Sequence, residues 1–300
     1  MTGLSIVEEA GAVAVRDGEI VLLRYTYLPD TPVYESPKPF IHPLRTRAGR
    51  LVSLFRPHDH VWHKGIAWSL PVVGEENFWG GPTYVRDSGY VQLANNGTQR
   101  HISGPTVTVS DGVARIAHAL EWVTESGATV FREQRILSAR LLTDDAWALT
   151  FETAMRNVTD AAIAIGSPTT RGRPNAGYGG LFWRGPRSFT GGTLIAPGVR
   201  GGDELRGTRH EWMGFVGAHD GDDASSLVLI LDHADNPHHP PQWFARSEEF
   251  AALNPAPFFS EEFETAPGAT ATFRYGVAIS DGDGADAEAL AAALRSAPTS

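Results

Sequence analysis

The chain has 300 residues, 42% of them hydrophobic and 20% charged, with a formal net charge of -10 and no cysteine. A chain of that size can bury most of its apolar surface, which describes a globular protein, and its acidic balance without a Lys/Arg cluster argues against a nucleic-acid partner. The missing cysteines remove disulfides, thiolate nucleophiles and cysteine zinc sites, so any metal would need His, Asp or Glu.

Residues 1–21 lack a basic start followed by an apolar core, and no run approaches the ~20 apolar residues of a membrane span. A cytoplasmic protein without a membrane partner is therefore expected. From Ala12 to Leu28, two apolar runs flank Arg16-Asp17-Gly18, a hairpin signal. From Gly112 to Trp122, Ala114, Ile116, His118, Leu120 and Trp122 fall on one face, and TVFREQRIL follows the Ser126-Gly127 turn. Trp147, Leu149, Phe151, Thr153 and Met155 alternate against Thr150, Glu152 and Arg156, which predicts half-buried antiparallel strands.

Short strands are predicted over Gly177–Trp183 and Trp212–Gly217. Leu227–Leu231 is continuously apolar and is expected to be buried on both faces. The last strand alternates Ala271, Phe273, Tyr275, Val277 and Ile279 with polar or small residues, and a helical tail is predicted over about 285–296. With 32 glycines, 20 prolines and no βα alternation, the expected fold is all-β: one large antiparallel two-sheet β-sandwich domain over residues 1–300.

The candidate chemistry centres on Lys38–Tyr90, where His42, His58, His60 and His63 lie near Asp59, Glu75, Glu76 and several tryptophans. On an extended segment His58 and His60 would share a face, and a turn at Val61-Trp62 would let His63 complete a three-nitrogen metal set. Alternatively the imidazoles hydrogen-bond to loop carbonyls or a sugar-like ligand, or His60 or His63 acts as general acid or base. Glu75-Glu76-Asn77-Phe78-Trp79 has the composition of a carbohydrate subsite, an indole for the sugar face and carboxylate or amide for hydroxyls. It equally suits a loop anchored by Phe78 and Trp79 with solvated glutamates.

Two distant segments repeat this mixture. Gly177-Tyr178-Gly179-Gly180-Leu181-Phe182-Trp183-Arg184 offers close backbone approach and a guanidinium, which could instead pair with a surface acid. The segment from Asp232 to Trp243 carries His233, Asn236, His238 and His239 beyond the buried LVLIL run, where a rigid strand would aim loop side chains. His101, His118, His210 and His219 are expected to be structural or exposed.

The segments KPFIHPLRTRAGR, DHVWHKGIAWSLPVVGEENFWGGPTY, GYGGLFWR and DHADNPHHPPQWF, in this order, resemble the PmoA-like family, a bacterial domain labelled methane oxygenase PmoA. The matching positions are His42, Asp59, His60, His63, Asn77, Trp79, Tyr178, Gly179, Gly180, Arg184, Asn236, Pro237, His239, Pro240 and Trp243. Ala234, Asp235 and Phe244 depart from the common spelling. The resemblance implies a sandwich like that of galactose mutarotase and a place in carbohydrate catabolism. Methane oxidation by a membrane subunit does not suit a chain without a spanning segment.

Together these readings predict a carbohydrate-active enzyme acting on a sugar or keto-sugar glycoside. His60, His63, Glu76 and His239 would be catalytic. His42, Asp59, Asn77, Trp79, Tyr178, Arg184, Asn236 and Trp243 would bind substrate, with Trp79 and Trp243 stacking on the ring. No cofactor is expected, and the partner is a small carbohydrate. The alternatives are a non-catalytic sugar-binding module or a metal-dependent protein using His58, His60 and His63. On the first reading all four segments line a single composite cleft.

Overall fold

The computed structural model describes residues 3–296. Its architecture is two large antiparallel sheets with smaller ribbons at their ends, as the all-β reading anticipates. The first sheet runs Leu4–Glu9, Ala12–Asp17, Ile20–Thr26, Phe40–Leu44, Ile66–Ser69, Gly180–Arg184 and Ala252–Leu253. The second runs Val199–Gly201, Thr193–Ala196, Trp212–Ala218, Ser225–Asp232, Thr270–Asp281, Ala146–Asn157, Thr129–Leu141, Val113–Val123 and Thr98–Ser110.

The period-two patterns become cross-strand ladders. Trp147 pairs with Ile279, Leu149 with Val277 and Phe151 with Tyr275, so one face of each strand is apolar where they meet. That face packs against Val13, Leu23, Ile41, Trp68, Leu181 and Trp183 of the first sheet in a shared core. The opposite face of the second sheet is covered by the helix Ala287–Arg295, whose Ala287, Leu290, Ala291 and Leu294 pack on Ala148, Leu227, Leu229 and Ala278. Leu227–Leu231 is thus buried from both sides, which explains its unbroken apolar run. No helix among the described residues is long and apolar enough to cross a membrane.

One expected strand starts later than its pattern suggests. Gly177-Tyr178-Gly179 is irregular and the strand begins at Gly180, because the Asn254 side chain captures the backbone there: its Oδ1 accepts from the Gly179 N–H (2.9 Å), and its Nδ2 donates to the Leu181 carbonyl (2.9 Å). This leaves Tyr178 at the end of the first sheet rather than within it.

A polar seam crosses the core. Glu133 accepts from Trp122 Nε1 (2.7 Å), Arg135 Nε (2.7 Å) and Thr153 Oγ1 (2.8 Å). Nearby, the Tyr25 hydroxyl and His118 Nδ1 lie 3.1 Å apart, and His118 is 2% exposed. Burial, reinforced by the Arg135 charge and by His101, lowers the His118 pKa to about 3. The unfolded chain protonates this histidine below about 6.5 and the folded chain does not until about 3. Stability from His118 is therefore complete above the unfolded value and is lost as pH falls through this window. Between pH 7 and 5 this amounts to about 2 kcal/mol. Urea unfolding at the two pH values should show His118→Gln losing about 2 kcal/mol less than the wild type; equal losses would mean that His118 is not held neutral.

Candidate functional site

The segment between Leu54 and Gly65 closes on itself. Phe55 and Lys64 form a bridge, the Gly65 N–H donates to the Leu54 carbonyl (2.8 Å), and the Arg56 N–H donates to the His63 carbonyl (2.9 Å). Within it the chain turns twice, with the His60 N–H on the Pro57 carbonyl and the His63 N–H on the His60 carbonyl. His58 and His60 therefore do not share the face of an extended segment. His58 Nδ1 takes a hydrogen bond from Arg187 (2.9 Å), whereas the His60 and His63 rings stack, 4.7 Å apart and 8° from parallel. The three-imidazole metal set considered from the sequence does not form. No group of three or more metal-ligating side chains occurs among the described residues.

Asp59 organises the pair. Its Oδ2 accepts from His60 Nδ1 (2.8 Å) and Arg184 Nη2 (3.0 Å), and its Oδ1 accepts from Arg187 Nη2 (2.8 Å). Partial burial alone would raise its pKa, but these hydrogen bonds and the Arg184 charge outweigh it and hold the carboxyl well below the usual range. Arg184, 1% exposed, donates Nη1 to His63 Nδ1 (3.0 Å) and lies 3.8 Å over the Phe250 ring.

Guanidinium can only donate, so His63 Nδ1 must be the acceptor and its proton sits on Nε2. Burial, with the neighbouring His60, Arg184 and Lys38, holds His63 neutral, its pKa well below the ordinary value. A carboxylate can only accept, so His60 carries a proton on Nδ1, and in the neutral form of the ring the lone pair is on Nε2. Two stacked rings thus present opposite tautomers, fixed by Asp59 on one side and Arg184 on the other.

The rings form one wall of a cavity of about 290 Å³, whose other walls are Trp62, Trp79, Tyr178, Phe182, Phe244 and Phe250, with Arg173 and Arg246. Lys38 fixes one side: buried, it donates to the carbonyls of Glu35 (3.0 Å), Ser36 (3.0 Å) and Trp79 (2.8 Å). Trp62 lies against the backbone of Gly80 and Gly81, where an added Cβ would meet it at 2.6 and 2.7 Å. Tyr178 hydrogen-bonds Tyr90 (2.8 Å), which also lines this cavity.

Of the residues selected from the sequence, His60, His63, Trp79 and Tyr178 meet on this cavity, with Asp59 and Arg184 behind the imidazoles. The others lie elsewhere. His42 bonds Ser53 Oγ (2.8 Å) and stacks on Phe55, and burial with Arg45 lowers its pKa to about 4. Asn77 accepts from the Trp79 and Gly80 N–H groups and donates to the Gly81 carbonyl, holding the loop that carries Trp79. Glu76 lines a separate depression with Glu75 and Arg171, and burial raises its pKa. Trp243 is wholly buried with Nε1 on the His210 carbonyl (2.8 Å), so it cannot stack on a ligand from solvent.

His239 lines a different cavity, of about 300 Å³. Its Nδ1 bonds Asp232 Oδ2 (2.7 Å), whose other oxygen accepts from Asn236 Nδ2 (2.6 Å). Burial raises the Asp232 pKa to about 6, against the opposing pull of Asn236 and His239. The single composite cleft is thereby corrected to two cavities, because residues 232–240 close onto the second sheet through Asn236 and the Arg274 backbone. Only the chain beyond that segment reaches the first cavity, through Phe244 and Arg246. Trp62, Phe250, Arg173 and Arg246 were missed. Trp62 stood between the two selected histidines and was legible there; Arg173 and Arg246 sit among other charged and polar residues, in Thr169–Asn175 and Arg246–Glu249, with no histidine or tryptophan to single them out.

A model of a family of unknown function, DUF6807, matches residues 12–295. The chain belongs to that family. The resemblance to the PmoA-like family is overturned by this match, and nothing in the comparisons points to PmoA. No curated protein matches this DUF6807 chain. Among solved structures it is similar to a putative aldose 1-epimerase from Klebsiella pneumoniae subsp. pneumoniae MGH 78578, with 10% identity, a TM-score of 0.44, and 99% of this chain and 88% of that one covered. It is also similar to galactose 1-epimerase from Lactobacillus acidophilus NCFM, with 8% identity, a TM-score of 0.44, and coverage of 94% and 99%. A third similar structure is a mutant of heparan sulfate lyase HepC from Pedobacter heparinus, at 9% identity and a TM-score of 0.36, with 94% of this chain and 36% of that one covered. The DUF6807 chain spans about a third of that lyase.

In this DUF6807 protein the two members of the Asp59–Arg184 pair differ in burial, with side-chain exposures of 29% and 1%. Removing the carboxylate strands a buried cation, whereas removing the cation leaves a carboxylate still served by His60 and Arg187. Asp59→Asn should therefore cost about 3 kcal/mol and Arg184→Met clearly less, as read by denaturant unfolding; the reverse order would refute this account of the pair.

Proposed function

We propose that the protein is an acid–base enzyme acting on a sugar that carries a carbonyl group, catalysing proton abstraction beside that carbonyl and thereby epimerisation or elimination. The observation that carries this reading is the fixed, opposite tautomerism of His60 and His63 on a wall of the aromatic cavity. An acceptor and a donor nitrogen side by side match the two demands of enolisation. His60 Nε2 takes the proton from carbon, the C–H electrons form a C=C bond, and His63 Nε2–H hydrogen-bonds the carbonyl oxygen as negative charge gathers there.

The intermediate then has two fates. Delivery of a proton from water to the opposite face of the carbon, with His60 releasing its proton to solvent, inverts it, and departure of a substituent on the next carbon with its bonding electrons, taking up the proton from His60, completes an elimination. Trp62 and Trp79 supply apolar faces on which a sugar ring can lie. A cavity of about 290 Å³ is at the small end of ligand sites, which fits one ring. Hydrolysis by paired carboxylates receives no support, since no Asp or Glu lines this cavity and Glu76 lies in another.

The test is exchange of carbon-bound hydrogen in D₂O, followed by NMR, and turnover across glycosides and 3-keto-glycosides. His60→Gln and His63→Gln, confirmed folded by circular dichroism, should each lower the rate on a processed substrate by roughly 10²-fold or more. Unchanged rates in both variants would remove the two histidines from the chemistry. Binding of sugars with no exchange or turnover would instead mark a binding module.

A further inference from the structure

The charge on the cavity wall is opposite to that of the molecule. The chain carries a net charge of -10, yet the residues lining the imidazole cavity include Arg173 and Arg246 and no Asp or Glu. Asp59, behind the imidazoles, is committed to His60, Arg184 and Arg187.

Neither wall arginine is neutralised by a buried partner. Arg173 has no carboxylate partner among the described residues; it donates to the Tyr90 hydroxyl and lies 4.7 Å from the centre of the Tyr90 ring. Arg246 pairs with Glu249, whose side chain is 70% exposed, a geometry in which an ion pair contributes little. Its guanidinium lies 4.8 Å from the centre of the Phe250 ring, and its Nε is buried without a hydrogen-bond partner. A buried unpaired donor is costly, and a ligand oxygen that reached it would recover that cost. Both guanidinium groups rest against aromatic rings, so their forks are partly ordered before a ligand arrives.

We infer that the sugar bound here carries a carboxylate, and that Arg173 and Arg246 are the specificity-determining residues that hold it. Guanidinium suits a planar two-oxygen anion, and a cavity without opposing carboxylates does not repel one. This deepens the acid–base reading and rests on it for the identity of the site, while concerning recognition rather than chemistry.

Equilibrium binding of galacturonate and glucuronate, against galactose and glucose, tests the inference by calorimetry on the full chain. The uronates should bind at least tenfold tighter than the neutral sugars, and their affinity should fall with added salt while that of the neutral sugars holds. Arg246→Gln and Arg173→Gln should each lose about tenfold for the uronates and leave the neutral sugars unaffected, with Arg246→Lys intermediate. Should a variant not fold, the salt dependence of the wild type decides. Uronates that bind no tighter than neutral sugars, or not at all, overturn the inference, as do variants that weaken both classes alike. If a neutral keto-sugar shows His60-dependent exchange but uronates have no advantage, only the carboxylate inference fails. If uronates bind through the arginines with no proton exchange on any substrate, it is the acid–base reading that fails.

Discussion

The site is organised around a guanidinium buried among aromatic rings. Arg184 cannot shed its charge, and while its Nε is buried without a partner, both terminal nitrogens of the guanidinium donate to fixed acceptors. Asp59 answers one and His63 Nδ1 another, while the Phe250 face lies beneath it. Each answer has a consequence elsewhere. Burial keeps His63 neutral, with the Arg184 charge acting in the same direction, and the guanidinium's hydrogen bond fixes the imidazole proton on Nε2; the carboxylate drawn in for charge balance orients His60. A cation with no direct share in the proposed proton transfer therefore sets which nitrogen of each imidazole is available.

The framework behind that cation comes from both the local loop and the distant sheet. Arg184 ends the strand next to the edge of the first sheet, and its N–H donates to the Gly65 carbonyl, which closes the histidine loop. The loop is thus tied to the strand by backbone as well as by charge. Beneath it, Glu35 bridges Lys64 (2.7 Å) and Arg56 (2.5 Å) from a buried position, so the loop's two ends are held by one carboxylate. Glu35, Lys64 and Arg184 thus place buried charge at the two ends of this irregular segment.

The long strands were legible because their side chains alternate between core and exterior, as at Trp147–Met155 and Ala271–Ile279. The helix and the doubly buried LVLIL strand were equally plain. Much of the site was legible too, since His60, His63, Trp79 and Tyr178 stand in segments whose mixture of imidazole, indole and glycine has no use in an ordinary core. What failed was anything dependent on chain direction. Reading His58-x-His60 as extended put two rings on one face, whereas both lie in the tight turn that Pro57 and His60 close. Trp243 and His239 belong to one short segment that looked functional throughout, yet one side chain points into the core and the other into a second cavity. Arg246 and Phe250 carried no signal, because an arginine and a phenylalanine flanking Ser247-Glu248-Glu249 read as an ordinary charged turn whether or not they face a ligand.

Trp62 rests on Gly80 and Gly81 with no room for even a methyl group between them. The gap between these two loops is consequently set by the thickness of an indole lying on bare backbone rather than by side chains that can change rotamer. Such a wall behaves as a calliper. Its spacing cannot be adjusted by conservative substitutions at the two glycines, so a change in the size of the accepted ligand would have to be made across the cavity, at Phe244 and Phe250, or by replacing the indole itself.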